Sequence, residues 1–451
     1  MRIFAPAAVD LGWWLALPPM PSPGSRRWRR RGLVAVAVLV VLAGGAVAFV
    51  LLHAPGNVSH PNVDFTPSTV EPPPPKPQPV SHFAWPFYGR DAARARVLSD
   101  RLGTRFKVGW RFQDYVLLEF PPVMYGTTLY LLDNYGSAKA IDAHSGHRLW
   151  ETHAGTLAAA SPALDIKDQL MFVPLLSVSR GANLTQRPGN GAIVALSMRT
   201  GHVLWSRPIP PGSESSPVVA DGIVYAGSQD GTVYALRAKT GKTVWTYHAS
   251  GAVKGGPSFA DGKVYFGDYA GRMYALGART GRPVWVVGTS GTAFGFGSGT
   301  FYSSPAIAFG RVYIGNTDNF VYSFSARTGQ LAWRTGTGNY VYSSPAVENT
   351  PGLGPTVYIG SYDGHLYALD ARSGAVRWNH ATGGAIDGSP QVIGGVVYVS
   401  DMRTKRTYGL DARAGRTVFT FPDGRFNPGI SDGHALYLTG YSTMYQLVPI
   451  R

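Results

Sequence analysis

The residues able to do chemistry are few in this chain, and their spacing says what they are for. It carries 26 acidic side chains, 11 histidines and no cysteine. Asp221, Asp230, Asp261, Asp363 and Asp432 each precede a glycine, where a carboxylate accepts backbone N–H groups and forms a turn. Asp387, in Gly383-Gly-Ala-Ile-Asp387-Gly-Ser389, is different, because it stands just ahead of a strand signal; Asp268 and Asp318 are placed similarly. Nothing in the spacing brings these three together, whereas a calcium site wants six to eight oxygens with several carboxylates. His144, His147, His202, His365 and His380 fall in turns or beside strands without ligand spacing, and His-Glu-x-x-His is absent. Gly295-Phe-Gly297-Ser-Gly299 opens no helix and so lacks the context of a nucleotide loop. Ser161, Ser216, Ser304, Ser344 and Ser389 each precede a proline and lack the Gly-x-Ser-x-Gly elbow. They read as small residues opening crowded inner strands.

The elements that hold these residues follow from a repeated phrase, Ala-x-Asp-x-x-x-Gly-x-x-x-Trp. Its copies run from Ala140, Ala195, Ala235, Ala275, Ser323, Ala368 and Gly409 to Trp150, Trp205, Trp245, Trp285, Trp333, Trp378 and Phe419. Small residue and aromatic stand ten apart each time, and the aromatic recurs at steps of 55, 40, 40, 48, 45 and 41 residues. One unit holds four strand signals. Ser216-Pro-Val-Val, Ile223–Gly227, Thr232–Leu236 and Thr243–Trp245 are parted by Asp221-Gly, Asp230-Gly and Thr240-Gly turns. Such a period predicts a β-propeller. The indole is expected to lie flat against a small side chain of the next blade, each ring contributing roughly 2–3 kcal/mol.

Pro122, Pro162, Pro217, Pro257, Pro305, Pro345, Pro390 and Pro428 mark eight first strands. The last unit stops after Met444–Val448, one strand short, and the unattached Phe106–Phe112 precedes the first. That strand is expected to complete blade eight and leave no open edge. The prediction is an all-β, eight-bladed propeller over 83–451, preceded by one transmembrane helix.

The phrase resembles the tryptophan-docking repeat of the pyrroloquinoline-quinone-like propeller family, over roughly 85–448, and Trp85-Pro-Phe-Tyr88-Gly89-Arg90-Asp91 is similar to the segment that opens such propellers. The family includes quinoprotein alcohol dehydrogenases and the propeller lipoprotein of the outer-membrane β-barrel assembly machinery. For an enzyme the resemblance implies a quinone and calcium over the channel mouth, an aspartate base and commonly a vicinal cysteine pair. This chain lacks the cysteines, and Asp387 is the one weak candidate for a cofactor ligand. For the assembly propeller it implies protein partners and an acylated cysteine, which is also missing.

The N-terminus sets the expected compartment. Arg26, Arg27, Arg29, Arg30 and Arg31 precede twenty uncharged, mostly apolar residues, 33–52, long enough to cross a bilayer. The arginines place residues 1–32 in a bacterial cytoplasm and the propeller outside. Ala46-Val-Ala48 resembles a cleavage site, but Phe49–Leu52 continues the apolar run, which favours an uncleaved anchor. A true start at Met20 would leave a conventional basic leader. Nine prolines within 53–82 predict an extended linker.

Two features suggest partners. The net charge is +15, and Arg199, Lys239, Arg279, Arg327, Arg372 and Arg413 all stand two before a turn glycine. Equal positions in successive blades lie on a circle, so a basic ring is expected, suited to anionic envelope polymers or phospholipid heads. Asp221 and Asp261 share that face and would partly neutralise it. Loops that break the rhythm are the second feature: Ser177–Asn190, and Gly288–Tyr302 with Phe294, Phe296, Phe301 and Tyr302, followed one blade on by Tyr340 and Tyr342. These aromatics should surround the opposite mouth. The expected function is a membrane-anchored, extracytoplasmic, non-catalytic scaffold for an envelope protein or polymer, with no cofactor and no nucleic acid. A quinoprotein dehydrogenase with calcium and a ligand-sensing ectodomain are the alternatives.

Overall fold

The computed structural model describes residue 36 and residues 56–66, 82–178, 191–289 and 299–450. The leader 1–32 and, apart from Val36, the apolar stretch 33–52 lie outside the described residues, among which no helix is long and apolar enough to cross a membrane. Gly56–Arg451 forms one structural unit.

Eight antiparallel sheets make up that unit. Each first strand starts on the residue after its expected proline, from Val123–Tyr125 in blade one to Gly429–Ser431 in blade eight. Blade three shows the pattern: Val218–Ala220, Ile223–Gly227, Thr232–Arg237 and Thr243–His248 pair in order. Blade eight closes as expected. Its strands Gly429–Ser431, Leu436–Thr439 and Thr443–Pro449 are completed by Phe106–Gln113, with Gln446 opposite Trp110. The N-terminal strand thus latches the ring.

How the indoles seat differs from the expectation. The small residue of the phrase faces the aromatic within the same sheet: Ala235 pairs with Trp245, and the register then slips so that Leu236 pairs with Thr243. This bulge re-aims the ring out of the sheet, and it recurs at the aromatic's partner in all eight blades. What the next blade offers is its turn glycine. Trp245 covers Gly281, where a Cβ would stand 2.7 Å from the ring, and its Nε1–H donates to the Ala278 carbonyl at 2.7 Å. The Tyr225 hydroxyl donates to the same carbonyl at 3.1 Å. Seven blade junctions repeat the indole–carbonyl bond. At the eighth the following blade has no turn, because the chain's two end strands meet there, and Phe419 packs edge-on against Phe106 at 5.3 Å.

Two segments ahead of blade one, the first of them expected to belong to the linker, are built into the propeller. Val58–Ser59 adds a fifth strand to blade five. The chain then crosses the turn face, where Arg311 donates to the carbonyls of Pro61 (3.1 Å) and Val63 (2.6 and 2.9 Å), and Ser325 donates to Asp64 at 2.6 Å. Residues 56–66 are therefore docked rather than part of an extended tether, because their carbonyls supply the acceptors a buried guanidinium needs; residues 67–81 lie outside the described set.

The second segment, residues 84–98, closes the axis. Innermost strands of a propeller leave a free edge toward the channel, and this stretch pairs with them in turn. Ala84–Trp85 pairs with Met124–Tyr125 of blade one. The carbonyls of Pro86, Ala92, Ala93, Ala95 and Arg96 then accept the N–H groups of Leu164, Phe259, Ile307, Val347 and Val392, before Val97–Leu98 runs parallel to blade seven. The stretch enters and leaves beside the turns joining first and second strands. The plug is thus inserted from the turn face and leaves the opposite mouth open.

Candidate functional site

The open mouth is built from one repeated position. Glu119, Glu214, Lys254, Tyr302, Tyr342 and Asp387 each stand three residues before a first-strand proline, and all six line the same axial throat. One residue earlier the side chain turns inward instead. Val253, Phe301, Val341 and Ile386 are fully buried, each against a strand-ending glycine: Gly227, Gly267, Gly315 and Gly360. Phe301 therefore belongs to the core and not to the binding surface expected for it. Its neighbour Tyr302, with Tyr340 and Tyr342, does face the mouth as expected. Phe294 and Phe296 lie outside the described residues.

Below this ring the blades are belted together. The N–H groups of Ser304, Ser344 and Ser389 donate to Ser344 Oγ, Ser389 Oγ and Asn427 Oδ1 of the following blade at 2.8–3.0 Å. Blade four carries Gly256 in place of the serine, and the plug's Arg94 fills the gap. Its Nε and Nη2 donate to the Pro257 and Ser216 carbonyls at 2.9 and 2.7 Å, tying blades three and four. Burial holds this guanidinium down at about 9. Arg96, equally buried, stacks on Tyr88 at 4.0 Å. The remaining throat measures about 30 Å³, room for roughly one water.

Above it lies a shallow recess of about 450 Å³ walled by Tyr269, Tyr302, Tyr340, Tyr342 and Tyr362, with Asp387 at its side. The rings form a connected wall: Tyr269–Tyr302 at 6.3 Å, Tyr302–Tyr342 at 5.1 Å, Tyr340–Tyr342 at 6.2 Å and Tyr342–Tyr362 at 4.9 Å. Asp387 accepts a 2.7 Å hydrogen bond from Tyr362 Oη. Burial pushes its carboxyl above the usual range, against that bond. Burial also raises Glu119, helped by the nearby charges of Asp387 and Glu214. Lys254 Nζ stands 3.1 Å from Glu214 Oε1 and 5.2 Å from the Tyr269 ring centre. The mouth thus combines aromatic faces with under-compensated negative charge, an arrangement that suits cations.

Asp268 and Asp318 do not join it. Each is a turn former that accepts turn N–H groups and a tyrosine hydroxyl, from Tyr274 at 2.7 Å and Tyr322 at 2.5 Å. The mouth does not fit a calcium–quinone pair either. Glu214 is committed to Lys254 and Gln229, Asp387 to Tyr362, and no three histidine or carboxylate side chains converge among the described residues.

On the other face Arg199, Lys239, Arg279, Arg327, Arg372 and Arg413 are all exposed at the turns. Several are already engaged: Lys239 with Asp168 (3.0 Å), Arg279 with Asp221 (3.6 Å), Arg327 with Asp64 (3.0 Å) and Arg372 with Asn62 (2.9 Å). Acids on the preceding blade and the docked segment thus pair with three of the six cations. Sequence reasoning named the cations but missed Asp168 and Asp64 as partners. It also missed Glu119, Glu214 and Lys254 at the mouth, although their common distance from the prolines was a readable signal. Tyr269 and Tyr362, in turns between second and third strands, carried no such mark.

The family described as outer membrane protein assembly factor BamB matches residues 92–211, 189–339 and 318–433. BamB from Moraxella catarrhalis superposes with a TM-score of 0.62 at 17% identity, covering 76% of this chain and 100% of that one. Quinohemoprotein alcohol dehydrogenase from Comamonas testosteroni gives 0.64 at 15% identity, covering 81% and 80%. A europium-containing methanol dehydrogenase gives 0.66 at 14% identity, covering 81% and 98%. At such identities the likeness is one of fold. No curated protein matches the chain.

Proposed function

Because this chain belongs to the family of the outer membrane protein assembly factor BamB, we propose that it is a binding scaffold for another protein of the cell envelope. The observation that carries this reading is the tyrosine wall with Asp387 at the one mouth the plug leaves open. A scaffold needs exposed aromatic area on a rigid frame; Tyr302, Tyr342 and Asp387 sit two residues before the belt's Ser304, Ser344 and Ser389, and Tyr269 and Tyr362 sit on turns between second and third strands. The throat is nearly filled, which favours binding at the rim over turnover within. Arg26–Arg31 and the apolar residues 33–52 support a single N-terminal anchor with the propeller on the extracytoplasmic side.

A photo-crosslinking amino acid in place of Tyr340 tests the reading in the native envelope, with Arg279 replaced in parallel as a control on the other face. A discrete protein adduct from Tyr340 and none from Arg279 is the expected result. Adducts only from Arg279, or dye reduction by the chain supplied with quinone and calcium, would overturn it.

A further inference from the structure

We propose that the tyrosine recess takes a primary alkylammonium group, namely a lysyl side chain presented by an exposed segment of the partner. The inference rests on the scaffold reading and specifies the chemistry of the same mouth.

The protein carries its own template. Lys254 lays its ammonium over Tyr269 while pairing with Glu214 at 3.1 Å. One carboxylate beside one aromatic face therefore already holds an ammonium on this rim. The other side of the recess repeats the combination without the cation. Asp387 stands beside Tyr342 and Tyr362, yet Tyr362 is its hydrogen-bond donor and, among the described residues, no basic side chain pairs with it. Arg425, which follows it around the mouth, turns instead to Phe426 and Tyr441, 5.4 and 5.2 Å from their ring centres.

A lysine fits this geometry better than an arginine. A single carboxylate already bonded to Tyr362 cannot offer the bidentate fork a guanidinium prefers, whereas an ammonium is a compact point charge on an apolar stem. The stem would lie along Tyr340, which is 47% exposed at the rim, and the head would reach Asp387 among ring faces.

The test uses the full-length chain in detergent with labelled tyrosine rings. N-acetyl-lysine methylamide is the probe, and the norleucine and arginine counterparts and spermidine are the comparisons. Saturable shifts of Tyr302, Tyr342 and Tyr362 are expected with the lysyl probe in roughly the millimolar range typical of one small contact. Asp387→Asn should weaken them about tenfold and Tyr340→Ala severalfold. Tyr340 is exposed, so its variant remains informative if Asp387→Asn folds poorly. Lys254→Met should let the probe shift Tyr269 as well.

No saturable shift, equal binding of the norleucine probe, or an affinity unchanged in both variants would overturn the proposal. So would tighter binding of the arginyl probe or of free spermidine. If Tyr340 crosslinks to a partner while no ammonium binds, the proposal fails and the scaffold reading stands. If the ammonium binds but Tyr340 yields no protein adduct, the scaffold reading fails, and with it the assignment to a partner's lysine.

Discussion

The indole of Trp150 lies over Gly201 of the following blade so closely that a Cβ there would stand 2.6 Å from its Cε3. Gly201 also has φ +71°, a conformation that L side chains resist. Two independent requirements thus fall on one residue. The same pair recurs from Trp110 over Gly146 to Trp378 over Gly415.

The two requirements separate experimentally. Gly281 and Gly222 share positive φ, +68° and +72°, but only Gly281 lies under a tryptophan, and Gly222 has open space beside it. Gly222→Ala should cost about 1 kcal/mol, the backbone cost alone. Gly281→Ala should cost about 3 kcal/mol, since Trp245 must also leave its seat. Denaturant midpoints of the two variants measure the difference.

Lys139 is buried between Asp114, 2.6 Å away, and Asp133, with side-chain exposures of 3–4% for all three. Lys139→Met leaves two carboxylates facing each other without a cation and should destabilise the fold by about 3–5 kcal/mol at neutral pH. Burial raises the Asp114 carboxyl, so acidification discharges it and the deficit against the parent should shrink as pH falls. A deficit independent of pH would show that lost packing, not charge, is responsible.

Glu348, in the first strand of blade six, is pushed by burial up to about 7 from an ordinary 4.5. Between those values the folded chain holds a proton that the unfolded chain has released. This carboxyl therefore costs stability as pH rises through the window, by about 3 kcal/mol at full shift. Glu348→Gln should remove that slope and leave the variant the more stable above pH 7. Unfolding curves at pH 5 and 8 decide it.

The plug depends on Arg94, which reaches carbonyls in blades three and four. Arg94→Ala should loosen residues 86–96 from the inner strands. Hydrogen exchange at Phe259, Ile307, Val347 and Val392, whose N–H groups bond the plug's carbonyls, should then quicken by roughly tenfold or more. The amide of Trp245, on an outer strand, should be unaffected.

Much of the fold was legible because its rules are local and repeated. Strand starts after prolines, turn glycines and aromatics at constant offset each reflect one blade's internal geometry, stamped along the chain. The missing last strand and the spare Phe106–Gln113 strand announced closure by simple complementarity. The site was only half legible. Tyr302 and Tyr342 stand out in the sequence as irregular loop aromatics, but their place three residues before a proline makes them part of the same ring as Glu119, Glu214, Lys254 and Asp387.

The amino-acid order settled how many blades there are, where each strand runs and which residues turn. Folding alone settled which glycine each tryptophan covers, that residues 84–98 plug the axis, that Phe301 points in while Tyr302 points out, and that Asp64 and Asp168 pair with cations of the basic circle. The reason is physical. Periodic contacts are made within a blade, between residues a few positions apart, and leave a mark at every repeat. A contact across the axis, or between the N-terminal segment and blade five, is made once, by residues hundreds of positions apart, and only the closed ring brings them within reach.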